Sequence, residues 1–138
     1  MNRVIHFEIH AAEPDRLIKF YGDVFGWEIN EWKLPGGPML PENRYWFVIT
    51  APEGSGEPGI DGGIVARRGP LPVGTEPVTS FVSTIHVPSV DEFIKKIEAA
   101  GGKNTVPKMA VPGLAWLAYC NDPEGNIFGI YEDDKNAK

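Results

Sequence analysis

One cysteine, Cys120, stands in the whole chain, so no intramolecular disulfide can staple the fold. A reducing cytoplasm is the compartment this implies. Long apolar runs are missing as well. No stretch approaches the roughly 18 apolar residues that a bilayer-spanning helix needs, so no membrane segment is expected. The first residues show no basic segment followed by an apolar run, and no secretory signal is expected there either. Positive charge is sparse: Lys and Arg number 13 against 19 Asp and Glu, for a formal net charge of -6, and no basic cluster exceeds a pair such as Arg67-Arg68. That balance disfavours nucleic acid and anionic membrane surfaces as partners and leaves a neutral or cationic small molecule. Only three histidines occur and no nucleophile-elbow pattern accompanies them, so nothing in the chain resembles a Ser/His/Asp triad. The glycines of "PGGP" and "GIDGG" lack the strand-to-helix setting of a phosphate-cradling loop.

What is present suits a folded protein. Hydrophobic residues make up 42% and charged residues 23% of 138, ordinary values for a globular chain of one domain, 1–138. The stretch "VIHFEIHA", Val4–Ala11, alternates with period two, which predicts a strand carrying His6, Glu8 and His10 on one face and Ile5, Phe7 and Ile9 on the other. After Pro14, Leu17, Phe20, Tyr21, Val24 and Phe25 recur at helical spacing up to Gly26. Strands are then predicted over Trp27–Trp32, Arg44–Thr50 and Ile64–Arg67, separated by the loops "LPGGPMLPEN" and "APEGSGEPGIDGG".

Beyond a connector at Arg68–Pro77 the order restarts. A strand over Val78–Val87 leads to Ser89 as N-cap, and Val90, Phe93, Ile94, Ile97 and Ala100 form a helical stripe ended by Gly101-Gly102. Strands over Lys103–Met109, Leu114–Cys120 and Ile127–Glu132 follow, and the terminal "DDKNAK" is expected to fray. The order is therefore β-α-β-β-β twice, in repeats of about 1–68 and 78–134. Gly26 and Gly102 set the offset at 76 (102 minus 26). The fold class is α+β: two βαβββ modules forming cupped mixed sheets around a cleft, with helices outside.

"FYGDVFGWEI" (Phe20–Ile29), "VPSVDEFIKKIEAAGGK" and "NDPEGNIFGIYE" (Asn121–Glu132) resemble the vicinal oxygen chelate superfamily, also called the glyoxalase/bleomycin-resistance/dioxygenase family. The resemblance spans nearly the whole chain. It implies paired modules around a cleft, a homodimer, and in many members one divalent metal held by four His or Glu side chains from the first and last strands of each module. Carried over position by position, the first of these falls on His6, but the second falls on Val82 and the last on Gly129, neither of which can bind a metal. In the final strand of the first module, Ile64, Val65 and Ala66 offer no ligand, and Asp61 lies before it.

Local geometry does not repair the set. His6 and His10 would sit roughly 13 Å apart along a strand, too far to share an ion at ~2.1 Å, whereas His6 and Glu8, at roughly 6.6 Å, could chelate together. No metal and no cofactor is therefore expected. The leading expectation is a glyoxalase/bleomycin-resistance-like protein that binds a small organic molecule, with His6 and Glu8 as polar anchors and Trp46, Trp116 and Tyr119 as aromatic contacts. Catalytic residues are not assigned. Two other readings stay open: a metal-dependent lyase, isomerase or dioxygenase using His6 and Glu8, and a non-catalytic structural module. Arg44 or Arg67 is a possible partner for Glu8, and which face of "RYWFVIT" turns inward is undecided between Tyr45/Phe47/Ile49 and Trp46/Val48. Met39 and Leu40 are expected either as a lid or as a subunit contact. Cys120, with no basic neighbour, is read as an inert buried thiol.

Overall fold

The structure is a computed structural model and describes residues 4–33, 41–74, 76–78 and 81–138. The expected lid residues Met39 and Leu40 lie outside these. The chain divides into two compact units, Met1–Pro70 and Leu71–Lys138.

The first unit contains β1 (Phe7–Ala11), α1 (Pro14–Phe25), β2 (Glu28–Glu31), a short 3-10 turn at Pro41–Asn43, β3 (Tyr45–Ile49) and β4 (Gly62–Ala66). Its sheet has the order β1-β4-β3-β2, with β1 parallel to β4 and the other pairs antiparallel. Helix α1 starts on Pro14, whose missing N–H costs nothing in a first turn, and Asp15 there complements the helix dipole. It stops at Gly26, which takes φ 70° and returns its N–H to the Gly22 carbonyl. The stripe Leu17, Phe20, Tyr21 and Val24 is buried, together with Trp46, Val48, Ile64 and Ala11 of the sheet.

The second unit repeats the pattern with β5 (Thr84–His86), α2 (Val90–Ala99), β6 (Lys103–Val111), β7 (Ala115–Asn121) and β8 (Ile127–Asp133), in the order β5-β8-β7-β6. Ser89 Oγ caps α2 by accepting the Glu92 N–H, and the Val90 N–H donates to Glu132 Oε2 of β8 at 2.7 Å. The helix is thus tied to one face of its sheet, where Ala118, Cys120, Phe128 and Ile130 are buried. Pro107 is tolerated inside β6 because this is an edge strand whose register shifts between Val106 and Met109. The fold is the α+β, two-module βαβββ architecture expected. Thr84 faces Gly129 as Glu8 faces Gly63, so the first strands align at an offset of 76 (84 minus 8).

Three expectations are corrected. The strand over Val78–Val87 shortens to Thr84–His86: with Thr84 opposite Gly129, Val82 lies opposite Ile127, where β8 begins, and the ladder has nothing further to pair with. The last strand of the first unit begins at Gly62, two residues early, despite the poor strand propensity of glycine. The C-terminal tail is anchored instead of frayed: the Trp116 indole N–H donates to Asp134 Oδ2 at 3.0 Å, the Gly113 N–H donates to the Ala137 carbonyl at 2.9 Å, and Ala137 is buried.

Candidate functional site

Strand alternation in the first unit separates two faces. One packs under α1 and carries Phe7, Ile9, Trp46, Val48 and Ile64. The other carries His6, Glu8, Tyr45, Phe47 and Trp32, and here the polar and aromatic groups converge. Tyr45 Oη and His6 Nε2 are 2.9 Å apart, with the two rings stacked at an interplanar angle of 14°. Trp32 meets both Tyr45 and Phe47 edge-on at 6.3 Å, and Tyr45 meets Phe47 at 5.2 Å. Phe47 and Trp32 remain 46% and 43% exposed, large apolar rings left uncovered by their own unit. At the far edge Asn30 Nδ2 donates to Glu28 Oε1.

The glycines of β4 make this arrangement possible. A Cβ on Gly63 would lie 2.2 Å from Tyr45 Oη and 2.3 Å from its Cζ, so the tyrosine ring occupies the space a side chain at 63 would need. Burial, and after it the charge of Glu8, pushes the Tyr45 phenol above its ordinary value, which keeps its proton in place. Both arginines considered for Glu8 have other partners. Arg44 pairs with Glu31 at 2.7 Å and lies 4.6 Å over the Trp46 ring, while Arg67 Nη2 donates to the His10 carbonyl. That pairing lowers Glu31 and raises Arg44 from their usual pKa values, chiefly through the hydrogen bond between them.

The second unit has an open face of its own. Tyr119 stands there opposite Gly129, beside Thr84, and His86 lies 3.0 Å from Asp133. A Cβ on Gly129 would come within 2.8 Å of Thr84 Oγ1, so this glycine too is covered by a neighbouring strand's side chain.

Of the five residues expected at a site, His6 and Glu8 share the open face of the first unit, and Tyr119 lies on that of the second. Trp46 and Trp116 are not brought to those faces. Trp46 is 4% exposed and packs in the core on the α1 side, because Tyr45 and Phe47 take the other face. Trp116 lies on the α2 side, beneath Lys108 Nζ at 4.6 Å, with Lys108 paired to Asp91 of that helix. Sequence reasoning passed over Tyr45, Phe47 and Trp32. The signal that marks them is Gly62-Gly63, two residues without side chains opposite a run of rings.

The residues do not suit a divalent metal. Val82 and Gly129 supply no donor, and Gly63, which stands in β4 where Gly129 stands in β8, supplies none either. Asp61 is spent on the turn, its Oδ1 accepting from the Thr50 N–H at 2.8 Å and the Thr50 hydroxyl at 3.2 Å. Among the described residues, no group of three or more His, Cys, Asp or Glu side chains is placed to hold a metal ion. No helix there is long and apolar enough to cross a membrane.

Comparison with known proteins agrees with the architecture. The family described as bleomycin resistance protein-like N-terminal matches residues 3–36. The protein CFP32 of Mycobacterium tuberculosis is 25% identical over 131 residues, covering 94% of this chain and 45% of that protein. The chain thus spans a little under half the length of that relative. A glyoxylase-like domain-containing protein of Didymella fabae is 27% identical over 124 residues, covering 89% of this chain and 88% of its own. Among solved structures, glyoxalase I from Zea mays superposes with a TM-score of 0.68 at 22% identity, over 94% of this chain and 44% of that one. The fosfomycin resistance protein FosX from Listeria monocytogenes does so with a TM-score of 0.66 at 16% identity, over 97% and 95%.

Proposed function

From the premise that this chain is a member of the vicinal oxygen chelate superfamily, we propose that it binds a small organic molecule on the open face of its first unit, without a tightly held metal. The observation that carries the reading is the Tyr45–His6 pair. A phenol lies over the glycine where a last-strand ligand would have to project, and the one inherited histidine is engaged with that phenol.

The chemistry of the face fits such a ligand. Phe47 and Trp32 offer ring surface for a planar group, worth of order 1 kcal/mol per well-placed aromatic pair beyond the area buried. Glu8 supplies an acceptor and negative charge, and His6 a second polar contact. Neutral or cationic molecules are favoured over anions, because Glu8 and Glu28 lie on this face and its strands carry no Lys or Arg. Trp46 and Trp116 belong to the packing that holds the two sheets to their own helices, not to the binding surface.

Metal analysis of the purified protein and a thermal-shift screen of dicarbonyls, catechols and cationic aromatic compounds test this. A ligand at one hundred times its Kd stabilises the folded state by about 2.7 kcal/mol, enough to raise the midpoint by several degrees. The expected result is substoichiometric metal and at least one such shift, lost in Phe47→Ala. About one equivalent of Zn, Ni, Mn or Fe retained through purification would overturn the reading in favour of a metal-dependent lyase, isomerase or dioxygenase.

A further inference from the structure

Two glycines in register-equivalent positions are each roofed by a side chain from the neighbouring strand: Gly63 by Tyr45, and Gly129 by Thr84. The roofs differ in consequence. Thr84 only takes up room, whereas Tyr45 also reaches a histidine. A neutral imidazole has one nitrogen with a lone pair and one carrying a proton, and a metal can use only the first. A neutral phenol must place its hydrogen somewhere, and among the described residues the hydrogen-bond partner of Tyr45 Oη is His6 Nε2 at 2.9 Å.

We infer that Tyr45 is the residue that closes His6 to a divalent ion and sets what it presents to an organic ligand: the phenol donates to Nε2, which places the imidazole proton on Nδ1. His6 then has no lone pair for a cation and offers an N–H donor instead. A ligand carrying a carbonyl or another neutral acceptor suits that donor, with the Glu8 carboxylate on the same face to receive a ligand's own N–H or O–H. The ring is needed as well as the hydroxyl, since it fills the volume from which a donor at position 63 would project. Tyr45 is thus a positioning residue acting through His6. The inference rests on the metal-free binding reading and adds to it the group responsible.

Nitrogen-15 NMR of the histidine-labelled full chain at pH 8, where imidazole is neutral, reads the tautomer directly. His6 is assigned by the signal that disappears in His6→Gln. The expected result is a predominantly Nδ1–H pattern in the wild type that moves toward the Nε2–H form in Tyr45→Phe, a change that keeps the ring and its packing. Cobalt(II) titration followed by absorption supplies the second readout. The wild type should bind Co(II) only weakly, and Tyr45→Ala, which frees His6 to chelate together with Glu8, at least ten-fold more tightly, with the gain lost in Tyr45→Ala/His6→Gln. An Nε2–H pattern in the wild type, or a pattern unchanged by Tyr45→Phe, overturns the inference. So does equal Co(II) affinity in a folded Tyr45→Ala; if that variant does not fold, the Tyr45→Phe spectrum decides. One equivalent of Co(II) held by the wild type would sink both this inference and the metal-free reading. An Nδ1–H pattern that depends on Tyr45, together with a ligand screen that yields nothing, would sink only the binding proposal.

Discussion

The indole N–H of Trp116 donates to Asp134 Oδ2 at 3.0 Å, joining the middle sheet strand β7 to residues that follow the last strand. Asp134 is held from both sides, since its other carboxylate oxygen accepts the Asn136 N–H at 2.8 Å. These bonds, the backbone one first, lower the Asp134 carboxyl from its ordinary value of 3.8. A depressed carboxylate contributes stability that is full above its unfolded pKa and is lost as pH falls through the lower folded value. Asp134→Asn should therefore lower the melting midpoint at pH 7 and narrow its gap to the wild type below pH 4. Thermal melts of both proteins across that range check this, and a constant gap at all pH values would refute the carboxylate's part in anchoring the tail.

The two faces of β3 predict opposite mutational outcomes from adjacent aromatic residues. Trp46 is in the core under α1 and carries the Arg44 guanidinium over its ring, so Trp46→Ala should cost about 3–5 kcal/mol of folding stability. Phe47 is half exposed on the open face, with Tyr45 and Trp32 as ring neighbours, so Phe47→Ala should cost about 1 kcal/mol or less. Urea unfolding of the two variants separates them. Equal costs would show that the face assignment is wrong, and with it the choice of Phe47 over Trp46 as a ligand wall.

The helices and the repeat were legible in the chain because their signals are local. Pro14 and Gly26 bracket α1, and Ser89 and Gly101 bracket α2, each through a backbone or capping preference that needs no partner. The offset of 76 reappears in the alignment of Glu8 with Thr84 and in the helix starts, Pro14 and Val90 (90 minus 14), whereas the helix ends, Phe25 and Ala99, lie 74 apart (99 minus 25). What the sequence concealed was decided by partners. Alternation in "RYWFVIT" shows that Trp46 and Phe47 face opposite ways, but only packing against α1 tells which is buried. Gly62 and Gly63 read as loop until Phe7 and Tyr45 are seen to fill the space beside them. Strand periodicity puts His6 and Glu8 on one face, whereas choosing between Trp116 and Tyr119, which point to opposite faces of β7, required knowledge of where α2 lies. The tail looked frayed because "DDKNAK" is polar but for Ala137, and its anchors, Trp116 and Gly113, lie far back in the chain.

Cys120 should be unreactive in the folded protein. The thiol is fully buried, and that burial raises its pKa above the ordinary 9.0, an effect that the Asn104 amide 3.6 Å from Sγ only partly offsets. Thiolate is the reactive form, so labelling with a disulfide reagent at pH 8 should run at least on the order of 100-fold more slowly than for the denatured chain and accelerate through the urea transition. Rapid labelling of the native protein would mean that the β6–β7 edge opens independently of global unfolding.

The cover over Gly129 gives a direct test of why glycine stands in the last strand. A methyl group at that position would meet Thr84 Oγ1 at 2.8 Å and Cγ2 at 3.3 Å, and threonine, branched at Cβ, has little rotameric freedom with which to withdraw. Gly129→Ala should thus cost about 1–3 kcal/mol through overpacking, even though alanine is otherwise no worse than glycine in a strand. In a Thr84→Ala background the same change should cost less than about 1 kcal/mol, because the two groups that collide are no longer both present. A double-mutant cycle from urea melts measures the difference as a coupling energy. Coupling near zero would mean that the sheet adjusts around the methyl group, and the absence of a ligand side chain at 129 would then have to be explained by something other than the threonine beside it.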